Sequence, residues 1–72
     1  MKIYLGEIFR GGKYGNCVGE VVSEDLELVK EWGKDRKYNY RGVYGESVDP
    51  DYMEFRIRVW ENGKVIDCIK PF

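Results

Sequence analysis

The sequence contains no histidine, alanine, threonine or glutamine. Histidine is the side chain most often used as a general base near neutral pH, and it is the most frequent metal ligand. Without it, no serine or cysteine of this chain has the usual base that activates a nucleophile. Asp49 and Asp51 lie in a predicted polar turn, where aspartate is favoured because it hydrogen-bonds to the local backbone rather than because it takes part in catalysis. We therefore expect a protein that is not an enzyme and that binds no metal and no cofactor.

Cysteine is scarce as well. The two cysteines, Cys17 and Cys68, fit no spacing that is typical of zinc, haem or redox motifs. The N-terminus has no apolar segment of the signal-peptide type, and no run of about 18 apolar residues could span a membrane. These absences predict a cytoplasmic protein that does not contact membranes and whose thiols are reduced and structural. A Cys17–Cys68 disulfide is the less favoured alternative.

Length and charge set further bounds. The 72 residues suffice for one domain, covering residues 1–72, and are too few to enclose a deep substrate pocket around a packed core. The 12 basic and 13 acidic residues give a net charge of −1, so the chain as a whole is not a polybasic nucleic-acid binder. Hydrophobic residues make up 43% of the sequence, which favours a folded core over disorder.

The distribution of apolar residues predicts five strands and one helix. The strands cover residues 2–10, 17–22, 37–44, 52–60 and 65–69, with a glycine-rich turn at residues 11–16. Between the second and third strands, Ser23 is a suitable helix N-cap and Gly33 a natural stop. The apolar arc of this helix consists of Leu26, Leu28, Val29 and Trp32. The predicted fold is α+β: an antiparallel five-stranded sheet with one helix packed on one face, in the order ββαβββ.

The last hairpin is the clearest signal in the chain. Residues 52–60 alternate strictly between apolar and polar side chains, and Asn62-Gly63 is the strongest short hairpin turn. A two-residue loop places Ile57 opposite Cys68 on the inner face of the sheet. Cys68 is therefore expected to be a buried, inert thiol.

The face of the sheet away from the helix is the first candidate binding surface. Arg56, Arg58 and Trp60 point to it, and arginine and aromatic residues are enriched in interface hot spots. The strand at residues 37–44 adds either its basic residues or its tyrosines to this face, depending on its register. The candidate partner-binding residues are Tyr38, Tyr40, Arg41, Arg56, Arg58 and Trp60. The competing explanation is that a small sheet has too few polar residues to cover its back.

The acidic side of the predicted helix is a second candidate surface. It carries Glu24, Glu27 and Glu31, within a segment that has five acidic residues and one basic residue between positions 20 and 31. This patch is either a docking site or a solvated surface that keeps a small protein soluble.

Both surfaces indicate binding rather than catalysis. We expect a small protein-interaction module, an inhibitor or regulator that binds a larger protein or nucleoprotein machine. Small α+β chains without catalytic residues often act in this way, and phage-encoded antagonists of host defence such as anti-CRISPR proteins belong to this class. The alternative is a single-stranded nucleic-acid-binding protein that uses the basic and aromatic sheet face. A homodimer through the sheet face or an exposed edge strand also fits the pattern.

Overall fold

A computed structural model describes residues 1–11 and 15–72, so residues 12–14 of the predicted glycine-rich turn lie outside the described residues. Its elements are β1 (Lys2–Arg10), β2 (Asn16–Ser23), α1 (Leu26–Asn39), a 3-10 turn (Pro50–Tyr52), β3 (Met53–Glu61) and β4 (Lys64–Ile69). The strands form one antiparallel sheet in the order β2-β1-β3-β4. The α+β prediction of one helix with an antiparallel sheet is confirmed, whereas the prediction of five strands is wrong because this sheet has four.

The strand predicted at residues 37–44 does not form, because α1 continues through its first three positions. One tertiary and one local contact stabilise this last helical turn: Lys37 Nζ donates to the Met53 carbonyl oxygen at 3.0 Å, and Asn39 Nδ2 donates to Asp35 Oδ1 within the helix at 3.0 Å. After Tyr40 the chain forms a loop that is closed by an isolated bridge between Arg41 and Ser47. The alternating tyrosines favour a strand here, but contacts that form only in the folded chain stabilise the helix instead.

Gly33 does not end the helix, contrary to the prediction. It is buried in the middle of α1, directly against the ring of Phe55 on the sheet. A Cβ at this position would collide with that ring. The glycine therefore allows helix and sheet to approach closely instead of acting as a C-terminal signal.

The helix also begins two residues later than expected. Asp25 is the N-cap, and its Oδ1 accepts hydrogen bonds from the backbone N–H groups of Glu27 at 3.0 Å and Leu28 at 3.3 Å. Ser23 orients the N-cap residue itself, because its Oγ accepts a hydrogen bond from the backbone N–H of Asp25 at 3.0 Å. Both side chains thus organise the entry into α1.

The hydrophobic core lies between α1 and the sheet. Its fully buried members come from β1, α1 and the helix-facing side of β3, and they are Ile8, Val29, Met53, Phe55 and Ile57. The strict alternation of β3 is confirmed, since every second residue from Met53 to Val59 is buried. Phe72 stacks on Phe55 with ring centroids 5.8 Å apart and remains 42% exposed.

The turn of the last hairpin is as predicted, and Trp60 lies opposite Val65, but the register beyond this pair is wrong. Asn62 and Gly63 both have positive φ angles, 53° and 76°. A bulge follows, so that Arg58 lies opposite Cys68 and Ile57 lies opposite Ile69. The extra residue brings Ile69 onto the core and moves Cys68 to the other face, where it is exposed. The prediction of a buried Cys68 is therefore wrong.

Candidate interaction surface

The sheet face opposite α1, here called the open face, is not covered by any other described element of the chain. Strand pairing and side-chain alternation define its members. They are Ile3, Leu5, Glu7 and Phe9 from β1, Cys17, Glu20 and Val22 from β2, Glu54, Arg56, Arg58 and Trp60 from β3, and Val65 and Cys68 from β4.

One end of the open face is apolar. In one row, Ile3 pairs with Trp60, and Trp60 pairs with Val65. In the neighbouring row, Leu5 pairs with Val22. A shallow depression of about 300 Å³ lies here, and its lining consists of Met1, Ile3, Leu5, Val22, Trp60, Glu61, Asn62 and Gly63. Val22 is 63% exposed, which is high for an aliphatic side chain on a sheet. This end of the sheet offers an apolar contact area to another molecule.

The middle of the open face is charged, and its arginines already have contacts. Arg58 Nε lies 3.1 Å from Glu7 Oε1, although the geometry is that of an ion pair without a directed hydrogen bond. The guanidinium carbon of Arg56 lies 4.3 Å from the centroid of the Phe9 ring, and this stacking leaves Phe9 only 8% exposed. Both guanidinium groups are therefore held in place on the sheet surface.

Half of the predicted partner-binding residues lie together. Arg56, Arg58 and Trp60 occupy alternate positions of β3 on the open face. The remaining three do not join them, because the strand predicted at residues 37–44 does not form.

Tyr38, Tyr40 and Arg41 lie at the end of α1 and directly after it. The ring of Tyr38 is 6.4 Å from that of Phe72, and Tyr40 packs against the core with the Arg10 guanidinium 6.0 Å from its ring centroid. Arg41 is exposed at the base of the loop. Neither of the two predicted strand registers therefore occurs, and the register that placed tyrosines beside Trp60 is wrong because residues 37–39 are helical and Tyr40 packs against the core.

The three predicted acidic residues lie at the exposed surface around the start of α1. Glu24 precedes the N-cap, while Glu27 and Glu31 are exposed on the helix itself. Glu27 Oε1 lies 3.6 Å from Lys30 Nζ, so one basic side chain interrupts the patch. Such exposed i,i+3 pairs are typical of a solvated helix surface.

One cluster was not anticipated from the sequence. Glu7, Cys17 and Glu20 place one ligand-type atom each within 4.8 Å of the others, on the β1–β2 side of the open face. Strand pairing brings them together, and their sequence spacing matches no metal motif. A cation here would compete with the guanidinium of Arg58 for the carboxylate of Glu7.

The loop after α1 is a second feature that sequence reasoning missed. Val43 and Tyr44 at its tip are 92% and 94% exposed. Glu46 organises the loop, since its Oε2 accepts from the backbone N–H of Tyr44 at 3.0 Å and its Oε1 from Arg10 Nη1 at 3.3 Å. Backbone hydrogen bonding, above all from its own N–H group, and the Arg10 charge lower the pKa of Glu46 below 4.5.

The two cysteines lie at opposite edges of the sheet. Cys17 is on β2 and Cys68 on β4, both are exposed, and neither is in a disulfide. Three strand spacings separate them, about 14 Å, whereas a disulfide needs Cα atoms within about 7 Å. The strand order is therefore incompatible with an intramolecular Cys17–Cys68 bond.

Comparisons with known proteins add no relative to this picture: no protein-family model, no curated protein and no solved structure matches the chain. Within residues 1–11 and 15–72, no helix is both long and apolar enough to cross a lipid bilayer.

Proposed function

We propose that this protein is a non-enzymatic interaction module, an inhibitor or regulator that binds a larger protein through its open face. The supporting observation is the juxtaposition of an apolar depression beside Trp60 with the two arginines of β3. Tryptophan and arginine are the residue types most enriched in interface hot spots, and an apolar centre with a polar rim is the usual anatomy of a protein interface.

The arginines also favour recognition because they are partly ordered before any partner arrives. Arg56 rests on Phe9, and Arg58 is held beside Glu7. Ordering a long side chain on binding costs about 0.5–1.5 kcal/mol, so contacts that already restrict it reduce that loss. A rigid sheet supports both side chains from below.

A protein partner fits the charges of this face better than a nucleic acid does. The acidic residues Glu7, Glu20 and Glu54 share the open face with the two arginines. A polyanion requires a positive surface, and here the carboxylates offset the guanidinium groups. A protein with its own mixed charges can complement such a pattern.

We also propose that the protein acts in the cytoplasm. Cys17 and Cys68 are exposed and unbonded, as thiols are in a reducing compartment. A partner in that compartment, rather than an extracellular receptor, is the expected target.

Replacement of Trp60 tests the proposal. We expect Trp60→Ala to weaken capture of the partner from source-cell extract at least about tenfold, because it removes an aromatic anchor from the apolar end. The melting temperature should change by less than about 4 °C, since the side chain lies outside the core. Quantitative mass spectrometry of proteins retained on immobilised wild-type and variant chains measures the first effect, and differential scanning fluorimetry the second.

Two controls make the result decisive. Tyr44→Ala removes an aromatic side chain that is 94% exposed, more accessible than that of Trp60, from the loop after α1 and should leave capture unchanged. Replacing Glu24, Glu27 and Glu31 by alanine tests the acidic patch. Equal capture by wild type and Trp60→Ala contradicts the proposal, as does a large fall in melting temperature. Tight binding of single-stranded oligonucleotides that weakens steeply with salt would favour the nucleic-acid alternative.

A further inference from the structure

The charges of the open face are unevenly distributed: β2 and β1 contribute only the acidic Glu20 and Glu7, whereas β3 contributes Arg56 and Arg58 together with Glu54. One row of the sheet crosses three strands: Glu20 on β2 pairs with Glu7 on β1, which pairs with Arg56 on β3. Lys70 directly follows the last residue of β4, and extending the β3–β4 register by one residue past Ile69 puts it beside Arg56; its Nζ lies 3.5 Å from Oε1 of Glu54 in the neighbouring row. The row therefore reads acidic, acidic, basic, basic from edge to edge.

Such a row is complementary to itself. When two open faces meet about a two-fold axis parallel to the strands, β2 and β1 of one copy lie over β4 and β3 of the other. Glu20 then faces Lys70 of the second copy, and Glu7 faces its Arg56. The same rotation does not change the position of a row along the strands. The apolar row that contains Trp60 therefore contacts the same apolar row of the second copy.

The size of the face limits the strength of this contact. Four strands about 4.8 Å apart and central strands about 30 Å long give a footprint that buries about 1,100 Å² over both copies. This area lies at the lower end for specific protein complexes and is typical of weak, transient ones. A larger partner with a better fit could therefore displace the second copy.

We propose that the open face also binds a second copy of this chain, in a two-fold, face-to-face dimer with a dissociation constant in the micromolar range. This inference rests on the proposed function, because it names an occupant of the same docking surface. Self-association would keep the apolar end covered until the larger partner binds.

A charge-reversal pair tests this dimer. In Glu20→Lys, the new lysine faces Lys70 of the second copy, and in Lys70→Glu the new glutamate faces Glu20, so each variant places like charges together twice. We expect each variant alone to raise the dissociation constant about tenfold, and an equimolar mixture to restore it to within about threefold of wild type. Sedimentation equilibrium of the full chain between about 1 µM and 1 mM measures all three.

The outcomes separate this inference from the proposed function. A chain that stays monomeric at 1 mM overturns the dimer, while the effect of Trp60→Ala on capture of the larger partner still decides the proposed function. A dimer that neither single variant weakens also overturns it, because the contact then lies elsewhere, for example at the edge of β4. Weakening by both single variants without recovery in the mixture contradicts the two-fold arrangement.

Discussion

Individual residues decide how closely helix and sheet approach. Gly33 on α1 lies against the ring of Phe55, the fully buried centre of β3. On the other side of the sheet, the ring of Phe9 is covered by the guanidinium of Arg56 instead of by a helix. Gly33 thus allows α1 to approach one face of the sheet closely, and Arg56 covers Phe9 on the opposite face.

Gly33→Ala is expected to destabilise the protein by about 1–2 kcal/mol. Alanine favours a helix over glycine by up to about 1 kcal/mol, but its methyl group would overlap Phe55, and overpacking of a core typically costs about 1–3 kcal/mol. Urea unfolding followed by tryptophan fluorescence measures the difference. Lys34→Ala, at the next and exposed position, is the control and should change stability by less than about 0.5 kcal/mol. An unchanged or more stable Gly33→Ala would show that the helix and the sheet are not in close contact at this point.

At the level of residues, the sequence allowed β3 to be predicted correctly and the glycine to be misinterpreted. The alternation of β3 reflects its own two faces, so it is visible in one segment of sequence. The role of Gly33 depends on Phe55, which lies 22 positions later and can be recognised only when both elements are placed. The same holds for Glu7, Cys17 and Glu20, which only strand pairing brings together.

Among the elements, the β3–β4 hairpin shows how far a local signal reaches. Asn62-Gly63 predicts the turn correctly, because its two positive φ angles are local. The bulge just beyond the turn depends on tertiary packing, since it places Ile69 against the core between the sheet and α1. A one-residue shift moves every later side chain to the other face, which is why Cys68 was assigned to the wrong side.

The exposed position of Cys68 can be measured directly. We expect its thiol in the folded Cys17→Ser variant to react with iodoacetamide at a rate within about tenfold of that of the urea-unfolded chain, because the bulge directs it to solvent. Mass spectrometry of quenched samples gives both rates. Protection by several orders of magnitude would instead support the straight register, with Cys68 opposite Ile57.

The extra length of α1 has the largest effect on the candidate site. Residues 37–39 complete the helix, so the tyrosines expected on a strand lie on the helix side, and Tyr40 packs against the core. Propensity and alternation could not predict this, because the stabilising contacts of Lys37 and Tyr40 are made with distant residues. The candidate surface is consequently smaller than predicted and centres on Arg56, Arg58 and Trp60.

The whole molecule is a sheet with a helix on one face and an apolar and charged surface on the other. Its two tryptophans report separately on these sides. Trp32 lies on α1, with its ring 6.1 Å from that of Phe55 and the guanidinium of Arg36 5.2 Å from its centroid. Trp60 lies on the open face beside the apolar depression. A probe on both indoles can therefore distinguish the two sides in one sample.

The most direct test of the open face as the docking surface is a fluorine NMR titration of the chain labelled with 5-fluorotryptophan. Its two signals are assigned with Trp60→Phe, and the partner isolated by capture is then added at a low, constant concentration of labelled chain. If the open face is the docking surface, we expect the Trp60 signal to shift or broaden with saturation while the Trp32 signal stays in place. A response of Trp32 alone, or no response of Trp60 at saturating partner, would contradict it.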